Sequence, residues 1–282
     1  MESLGKKIAP LCFLIVLLTA CDRFEMRGFL FAYETADERY KQSLEWNKTV
    51  PLRELQVSSD DYTICVMGDS HVGGTENLDL FLKEAKRLGA AAIVMAGDLT
   101  NGHHDDFINF QNHLPSQEEI SIFVMVGNHD LFFDGWKQFY SMFGSSTYYF
   151  TIKTPKASDL CICTDTGSGT LGSEQLKWLK TVLCSERPKY RHCILFTHNN
   201  LFRIRHTSST NPFVEELRVL VEMCIEYQID MVVAGHDHER NAVMLGNTTH
   251  ITMDALEDGF HHAGYLNLYI GHSGIDYEFV RF

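Results

Sequence analysis

The chain has 282 residues, of which 45% are hydrophobic, and this length and composition are typical of one large α/β domain with a full core. Its formal net charge at pH 7 is −13, which disfavours non-specific binding to nucleic acid or to anionic lipid head groups. We therefore expect one main domain and no nucleic-acid polymer as a partner.

The N-terminus has the layout of an export signal. The pair Lys6-Lys7 precedes apolar residues 8–18, and the stretch Leu18-Thr19-Ala20-Cys21 follows. Its ending resembles the lipobox of bacterial lipoproteins, which implies cleavage before Cys21, lipidation of that sulfur and tethering to a membrane. An ordinary signal peptide and an uncleaved anchor are the alternatives, although the apolar segment is shorter than the roughly 20 residues that span a bilayer.

These features divide the chain into three parts. Residues 1–20 are expected to be a signal peptide, residues 21–60 a lipidated cysteine with a tether or lead-in, and residues 61–282 the folded domain of an exported lipoprotein facing the periplasm or the cell surface. Within the lead-in, the residues from Glu34 to Trp46 predict a short helix that Pro51 would stop.

Apolar stretches of strand length alternate with amphipathic helices in the domain. The strands are predicted at residues 63–67, 91–96, 120–126, 192–197 and 230–235. Leu78 to Leu88 carry apolar residues at helical spacing, and Asn211-Pro212 is typical of a helix start. This order predicts parallel strands with helical crossovers.

Shorter segments with alternating polarity predict a second sheet. Thr147–Lys153 and Asp159–Thr164 are expected to form a hairpin in it, or adjacent strands. Four later segments are expected to complete that sheet, namely residues 242–245, 250–253, 265–270 and 275–280. Beyond Cys12 and Cys21, most cysteines lie in apolar strands or on an apolar helix face, so we expect free buried thiols.

Five of these strands end abruptly in side chains that bind metals. The candidate ligands are Asp69, His71, Asp98, Asn128, His198, His236 and His238. Sites in open α/β sheets form beyond the carboxyl ends of the strands, where such loops meet. Mixed nitrogen and oxygen donors without thiolate suit Mn, Fe, Zn, Co or Ni better than Mg or Ca. A carboxylate can bridge two ions about 3.5–4 Å apart, so the pattern predicts a two-metal site.

The order of these motifs resembles the calcineurin-like metallophosphoesterases, whose pattern is D-x-H, G-D, G-N-H-D/E, a lone H and G-H-x-H. Residues 169–179 are also similar to a stretch in the cyclic-nucleotide-phosphodiesterase-like and purple-acid-phosphatase-like branches. The resemblance implies a four-layer α/β/β/α sandwich of two mixed β-sheets. It also implies hydrolysis of a phosphomonoester or a phosphodiester. Thr197 departs from the Gly that many members carry before the lone His, which affects the turn and not the ligand.

The resemblance further implies a role for each motif residue. Asp69, His71 and His238 would hold one metal ion. Asn128, His198 and His236 would hold the other, and Asp98 would bridge the two. His129 would face the substrate and stabilise the transition state or protonate the leaving oxygen, while a metal-bridging hydroxide attacks phosphorus in line. Asp98 and His129 are thus the expected catalytic residues.

The substrate is less well defined by the sequence. Arg203, Arg205 and His206 follow His198 and are candidates for a phosphate contact. His103, His104, His261 and His262 are expected to be solvated loop residues rather than part of the cleft. One alternative is a hydrolase of a nucleotide-linked lipid or sugar precursor, with pocket walls from the aromatic residues Phe132, Phe133, Trp136 and Phe139. The other is a non-catalytic metal-binding surface scaffold, which has no need for all seven ligands.

Overall fold

Two β-sheets packed face to face form the centre of the protein. The computed structural model describes residues 33–51, 53–200 and 214–282. Its strands are β1 (Arg53–Gln56), β2 (Tyr62–Met67), β3 (Ala92–Ala96), β4 (Ser121–Met125), β5 (Tyr148–Lys153), β6 (Ser158–Cys163), β7 (Cys193–Phe196), β8 (Met231–Ala234), β9 (Asn241–Leu245), β10 (Thr248–Thr252), β11 (Gly264–Gly271) and β12 (Gly274–Arg281). Its α-helices are α1 (Ala36–Thr49), α2 (Glu76–Arg87), α3 (His104–His113), α4 (Gly135–Phe143), α5 (Gly172–Ser185) and α6 (Val214–Glu226).

Both sheets are mixed. The five-stranded sheet has the order β12-β11-β2-β3-β4, and the seven-stranded sheet has the order β1-β5-β6-β7-β8-β10-β9. Strands β2, β3 and β4 are parallel to one another, as are β6, β7 and β8, whereas β11 runs antiparallel to β2. The predicted hairpin is confirmed, because β5 and β6 pair antiparallel.

The expectation for the C-terminal strands was only half right. β9 and β10 join the seven-stranded sheet as expected, but β11 and β12 extend the five-stranded sheet. The reason is the register of β11 on β2, in which Leu266 lies opposite Val66 and Leu268 opposite Ile64. This pairing buries both leucines in the core between the sheets.

Three apolar clusters hold the layers together. Along β2, Ile64 and Val66 face the core between the sheets, while Cys65 and Met67 face the core beneath α2. A third cluster lies between the seven-stranded sheet and helices α5 and α6. Each fully buried side chain of this size contributes about 1.5–3 kcal/mol. The predicted four-layer α/β/β/α sandwich is therefore confirmed.

The segment that the sequence assigns to a lead-in packs on the domain. Helix α1 begins with a capping box between Thr35 and Glu38 and ends before Pro51, as predicted. Strand β1 then pairs in parallel with β5, so the packed fold includes residues before position 61. Strand β1 has only four residues, and two of them are charged, so the sequence shows no strand pattern there and does not reveal this edge strand.

A buried ion pair fastens α1 to the loop after β6. Arg39 is fully buried, and its Nε and Nη2 donate to the carboxylate of Asp165 at 2.7 and 3.0 Å. We expect Arg39→Met to lower the free energy of unfolding by about 3–5 kcal/mol, because it leaves the Asp165 charge buried without its partner. Urea denaturation measures this loss. Lys48→Met, in an exposed pair on the same helix, is the control and should cost less than about 1 kcal/mol. Equal losses in the two variants would contradict a structural role for the buried pair.

Several predictions concern residues outside the described ranges. These are the signal peptide, Cys21, the helix start at Asn211-Pro212 and the candidate phosphate contacts Arg203, Arg205 and His206. Among the described cysteines all six are free, and all but Cys184 are buried, which confirms the expectation of buried thiols with one exception. In the described part of the chain, no helix has the length and apolarity required to cross a membrane.

Candidate metal centre

The candidate ligands meet at the carboxyl ends of β2, β3, β4, β7 and β8. Two groups of donor atoms form there, and within each group all the atoms lie within 4.8 Å of one another. The first consists of Asp69, His71, Asp98 and His238, and the second contains Asp98, His198 and His236. Asp98 belongs to both groups, as the sequence comparison with the family implied.

Short distances define the first group. His238 Nε2 lies 3.2 Å from Asp69 Oδ1 and 3.3 Å from His71 Nε2. His71 Nε2 lies 3.8 Å from Asp98 Oδ2. The donor atoms of Asp69, His71 and His238 thus face the same small volume as the carboxylate of Asp98.

The second group is equally compact. His198 Nε2 lies 3.3 Å from Asp98 Oδ2, 3.1 Å from His236 Nδ1 and 3.0 Å from Asn128 Oδ1. The neutral amide oxygen of Asn128 therefore adds an oxygen donor to this group without adding charge.

The electrostatics of the two groups suit a cation. Burial acts to raise the pKa of Asp98, but the imidazoles of His198 and His129 hold that pKa well below its usual range. Burial acts to lower the pKa of His198, but Asp98 and Asp69 raise it to about 9. Buried carboxylates that attract a proton to a neighbouring imidazole attract a metal ion for the same reason. The donor set therefore fits divalent metal ions.

Backbone contacts fix the orientation of His198 and Asp69. The His198 Nδ1 lies 2.9 Å from the carbonyl oxygen of Ala96 and donates to it, so Nε2 is the ring nitrogen that faces Asp98. The Thr166 hydroxyl accepts from the backbone N–H of His198 at 3.1 Å. Both carboxylate oxygens of Asp69 accept from the His236 backbone N–H, at 3.0 and 2.9 Å.

The loops that carry the donors are conformationally strained. Five of the seven candidate ligands have left-handed backbone angles: Asp69, His71, Asp98, His236 and His238. Each such residue costs on the order of 1–3 kcal/mol, and strain of this kind concentrates at functional sites. The motif glycines permit the close approach, because a Cβ atom at Gly127 would lie 2.1 Å from the Asp98 nitrogen.

Asp130 has a role that the sequence did not assign, although it is the last residue of the G-N-H-D motif. Its fully buried carboxylate accepts from the backbone N–H groups of Leu99, Thr100 and Gly127 at 3.1, 2.9 and 2.9 Å. It therefore holds the loop after β3 against the loop after β4. Burial, aided by the charge of Asp98, raises the pKa of Asp130 to about 6.

His129 lies beside the first donor group without belonging to it. Its backbone N–H donates to Asp98 Oδ1 at 2.7 Å, and its ring centroid is 4.5 Å from that of His71. Burial lowers the pKa of His129. The position is suited to a residue that contacts a substrate at the metal centre.

The aromatic loop after His129 divides into two parts. Trp136 and Phe139 are buried in the core beneath the five-stranded sheet, so they are not the pocket walls that the precursor-hydrolase alternative requires. Phe132 and Phe133 are half-buried, and the Phe132 ring lies 4.7 Å from that of His129. His103, His104, His261 and His262 are exposed.

A sandwich of two mixed sheets with imidazole and carboxylate clusters beyond its strand ends is the architecture of a metal-dependent phosphoesterase. Residues 62–240 match the family model of the calcineurin-like phosphoesterases, and the chain belongs to this family. It is a metallophosphoesterase, a hydrolase that acts on phosphoric ester bonds. No curated protein matches its sequence.

Solved structures with the same fold are distant in sequence. A dimetal phosphatase from Danio rerio aligns with a TM-score of 0.58 at 13% identity, over 78% of this chain and 98% of that chain. GAP50, described as the anchor in the inner membrane complex of Plasmodium, gives a TM-score of 0.61 at 13% identity, over 79% and 85% of the two chains. TT1561 of Thermus thermophilus gives 0.52 at 15% identity, over 78% and 99%.

Proposed function

We propose that the protein hydrolyses a phosphomonoester or a phosphodiester with two metal ions. Asp69, His71 and His238 would hold the first ion, and Asn128, His198 and His236 the second. The observation that carries this proposal is the position of Asp98, whose Oδ2 lies 3.8 Å from His71 Nε2 and 3.3 Å from His198 Nε2. One carboxylate thus belongs to both donor groups and would bridge the ions.

The donor set favours Mn, Fe, Zn, Co or Ni, because imidazole nitrogens are mixed with oxygens and no thiolate takes part. When bound, such ions would supply Lewis-acid activation of the ester and a nucleophilic water at neutral pH for in-line attack on phosphorus. Asn128 leaves the centre more positive than a third carboxylate would, which favours an anionic phosphoryl group. His129 would contact the leaving oxygen from the side of the first donor group.

A non-catalytic scaffold is the less favoured function. The fold alone does not decide, because one protein of this fold is described as an anchor and another as a phosphatase. The left-handed backbone at five donors supports the enzyme, since a binding surface elsewhere on the molecule gains nothing from that strain. The buried carboxylates of Asp69 and Asp98 add a desolvation cost that bound metal ions would offset.

Metal analysis combined with an ester assay tests the proposal. The soluble chain from Asp22 onward should bind about two metal ions and hydrolyse p-nitrophenyl phosphate or bis(p-nitrophenyl) phosphate in the presence of Mn²⁺. Asn128→Ala should remove turnover because it deletes an oxygen donor of the second group. Asn112→Ala, at an exposed position on α3, is the matched control and should retain full activity. Stoichiometric metal without turnover of either ester would contradict the proposed reaction.

A further inference from the structure

A continuous row of aromatic rings passes through the first donor group. Its members, in spatial order, are Phe260, His238, His71, His129, Phe132, Phe133 and His103. Successive ring centroids are 6.0, 5.2, 4.5, 4.7, 6.4 and 4.1 Å apart. We refer to these seven residues as the aromatic row. The row links the metal donors His71 and His238 to phenylalanines on both sides of them.

The outer end of the row is held in a costly conformation. Phe133 and Asp134 have left-handed backbone angles, with φ of 55° and 62°, which a bulky residue such as Phe133 rarely adopts. This turn stacks the Phe133 ring on His103 at an interplanar angle of 14°. Backbone strain that persists in a fold is a reason to look for function at that place.

A second loop is fitted against this turn. Gly102 has a φ of +88°, and a Cβ atom there would lie 2.6 Å from the Phe132 carbonyl oxygen and 2.7 Å from that of His129. A side chain at position 102 would therefore push the two loops apart. The glycine allows His103 to reach the Phe133 ring, so the stacked pair depends on both loops.

Burial separates the row from the neighbouring aromatic core. Trp136 and Phe139 are 1% and 0% exposed, whereas Phe132, Phe133 and Phe260 are only half-buried beside the donors. Phe132, Phe133 and Phe260 therefore offer partly exposed aromatic rings beside the donors.

We propose that the aromatic row binds a planar aromatic group on the leaving-group side of the phosphoester. This inference rests on the proposed function and names its substrate class. If His129 contacts the leaving oxygen, a ring attached to that oxygen lies beside Phe132, the next ring in the row. Base–aromatic stacking is strong and tolerant of the identity of the ring. The shared chemistry is a flat π-surface, which an aryl ester or a nucleoside ester supplies.

Two pairs of phosphonates test the inference, because a C–P bond is not hydrolysed as an ester. Benzylphosphonate and cyclohexylmethylphosphonate have the same ring size, and only the first is planar. Titration calorimetry on the Mn²⁺-loaded protein should give a dissociation constant about tenfold lower for benzylphosphonate. The second pair is the 5′-phosphonate of adenosine and that of ribose, which differ by the base. A preference in the first pair alone supports an aryl ester, and a preference in the second supports a nucleoside ester.

The double variant Phe132→Leu, Phe133→Leu should abolish the preference while leaving metal content unchanged, since neither side chain is a donor. Tyr277→Leu, an exposed aromatic position outside the row, is the control. Equal binding within both pairs by the wild-type protein would overturn the inference and leave the proposed function standing, even if the double variant does not fold. Failure of the metal-loaded protein to bind any of the phosphonates would overturn both.

Discussion

Asp98→Asn is expected to reduce phosphoester turnover by about 10³-fold or more and to lower the bound metal below two ions per chain. Asp98 Oδ2 is the oxygen that both donor groups share, and the substitution replaces it with an amide group that carries no charge. Lewis-acid stabilisation by metal ions is worth several kcal/mol, and each 1.36 kcal/mol corresponds to a factor of ten in rate. The measurement is kcat for p-nitrophenyl phosphate together with metal content.

The choice of Asn makes the outcome specific to charge and ligation. An Asn oxygen still accepts the hydrogen bond that the His129 backbone N–H donates to Asp98 Oδ1 at 2.7 Å, so the loop retains this contact. Asp79→Asn removes a carboxylate from an exposed pair with His113 and should leave both activity and metal content unchanged. Full turnover of a metal-replete Asp98→Asn protein would refute a bridging role for this residue.

The parallel strands of the fold were predictable from sequence because they are buried on both faces. Each parallel strand is a continuous apolar run, as in Ile64 to Met67. The unbroken run and its length identify the strand without knowledge of its neighbours. Strands β11 and β12 alternate in polarity, which indicates strands but not which sheet they join. That choice depends on the antiparallel register of β11 on β2, a contact between residues about 200 positions apart.

The site was predictable to a similar degree. The convergence of the candidate ligands was predictable because each follows a strand end, and the loops bring these ends together. The sequence did not predict which aromatic residues of this loop are buried in the core and which lie beside the donors, although the cause is local. Trp136 and Phe139 are three residues apart on one face of α4 and enter the core. Phe132 and Phe133 precede that helix, and the left-handed backbone angles of Phe133 and Asp134 are not revealed by sequence spacing.

His129→Ala is expected to retain its metal and lose about 10²–10⁴-fold in kcat, the usual contribution of a general acid or base. The His129 ring lies outside both donor groups, and its backbone N–H contact to Asp98 survives in alanine. The loss should depend on the leaving group, because a p-nitrophenolate departs without protonation whereas an alkoxide does not. We therefore expect a larger decrease for an alkyl phosphoester than for the matching p-nitrophenyl ester, with kcat measured for both.

The control for this variant is His104→Ala, which removes an exposed imidazole that is hydrogen-bonded to Gln138. It should change kcat for neither the alkyl nor the p-nitrophenyl ester. Loss of metal from the His129→Ala variant would show that His129 is a metal ligand. An equal loss for the two esters would show that His129 stabilises charge on the phosphoryl group and does not protonate the leaving oxygen. The protonation role also agrees with the position of the aromatic row, because His129 lies between the donor His71 and Phe132. A leaving group that took its proton from His129 would depart along the row, so the same residue would link the choice of substrate to the rate of its cleavage.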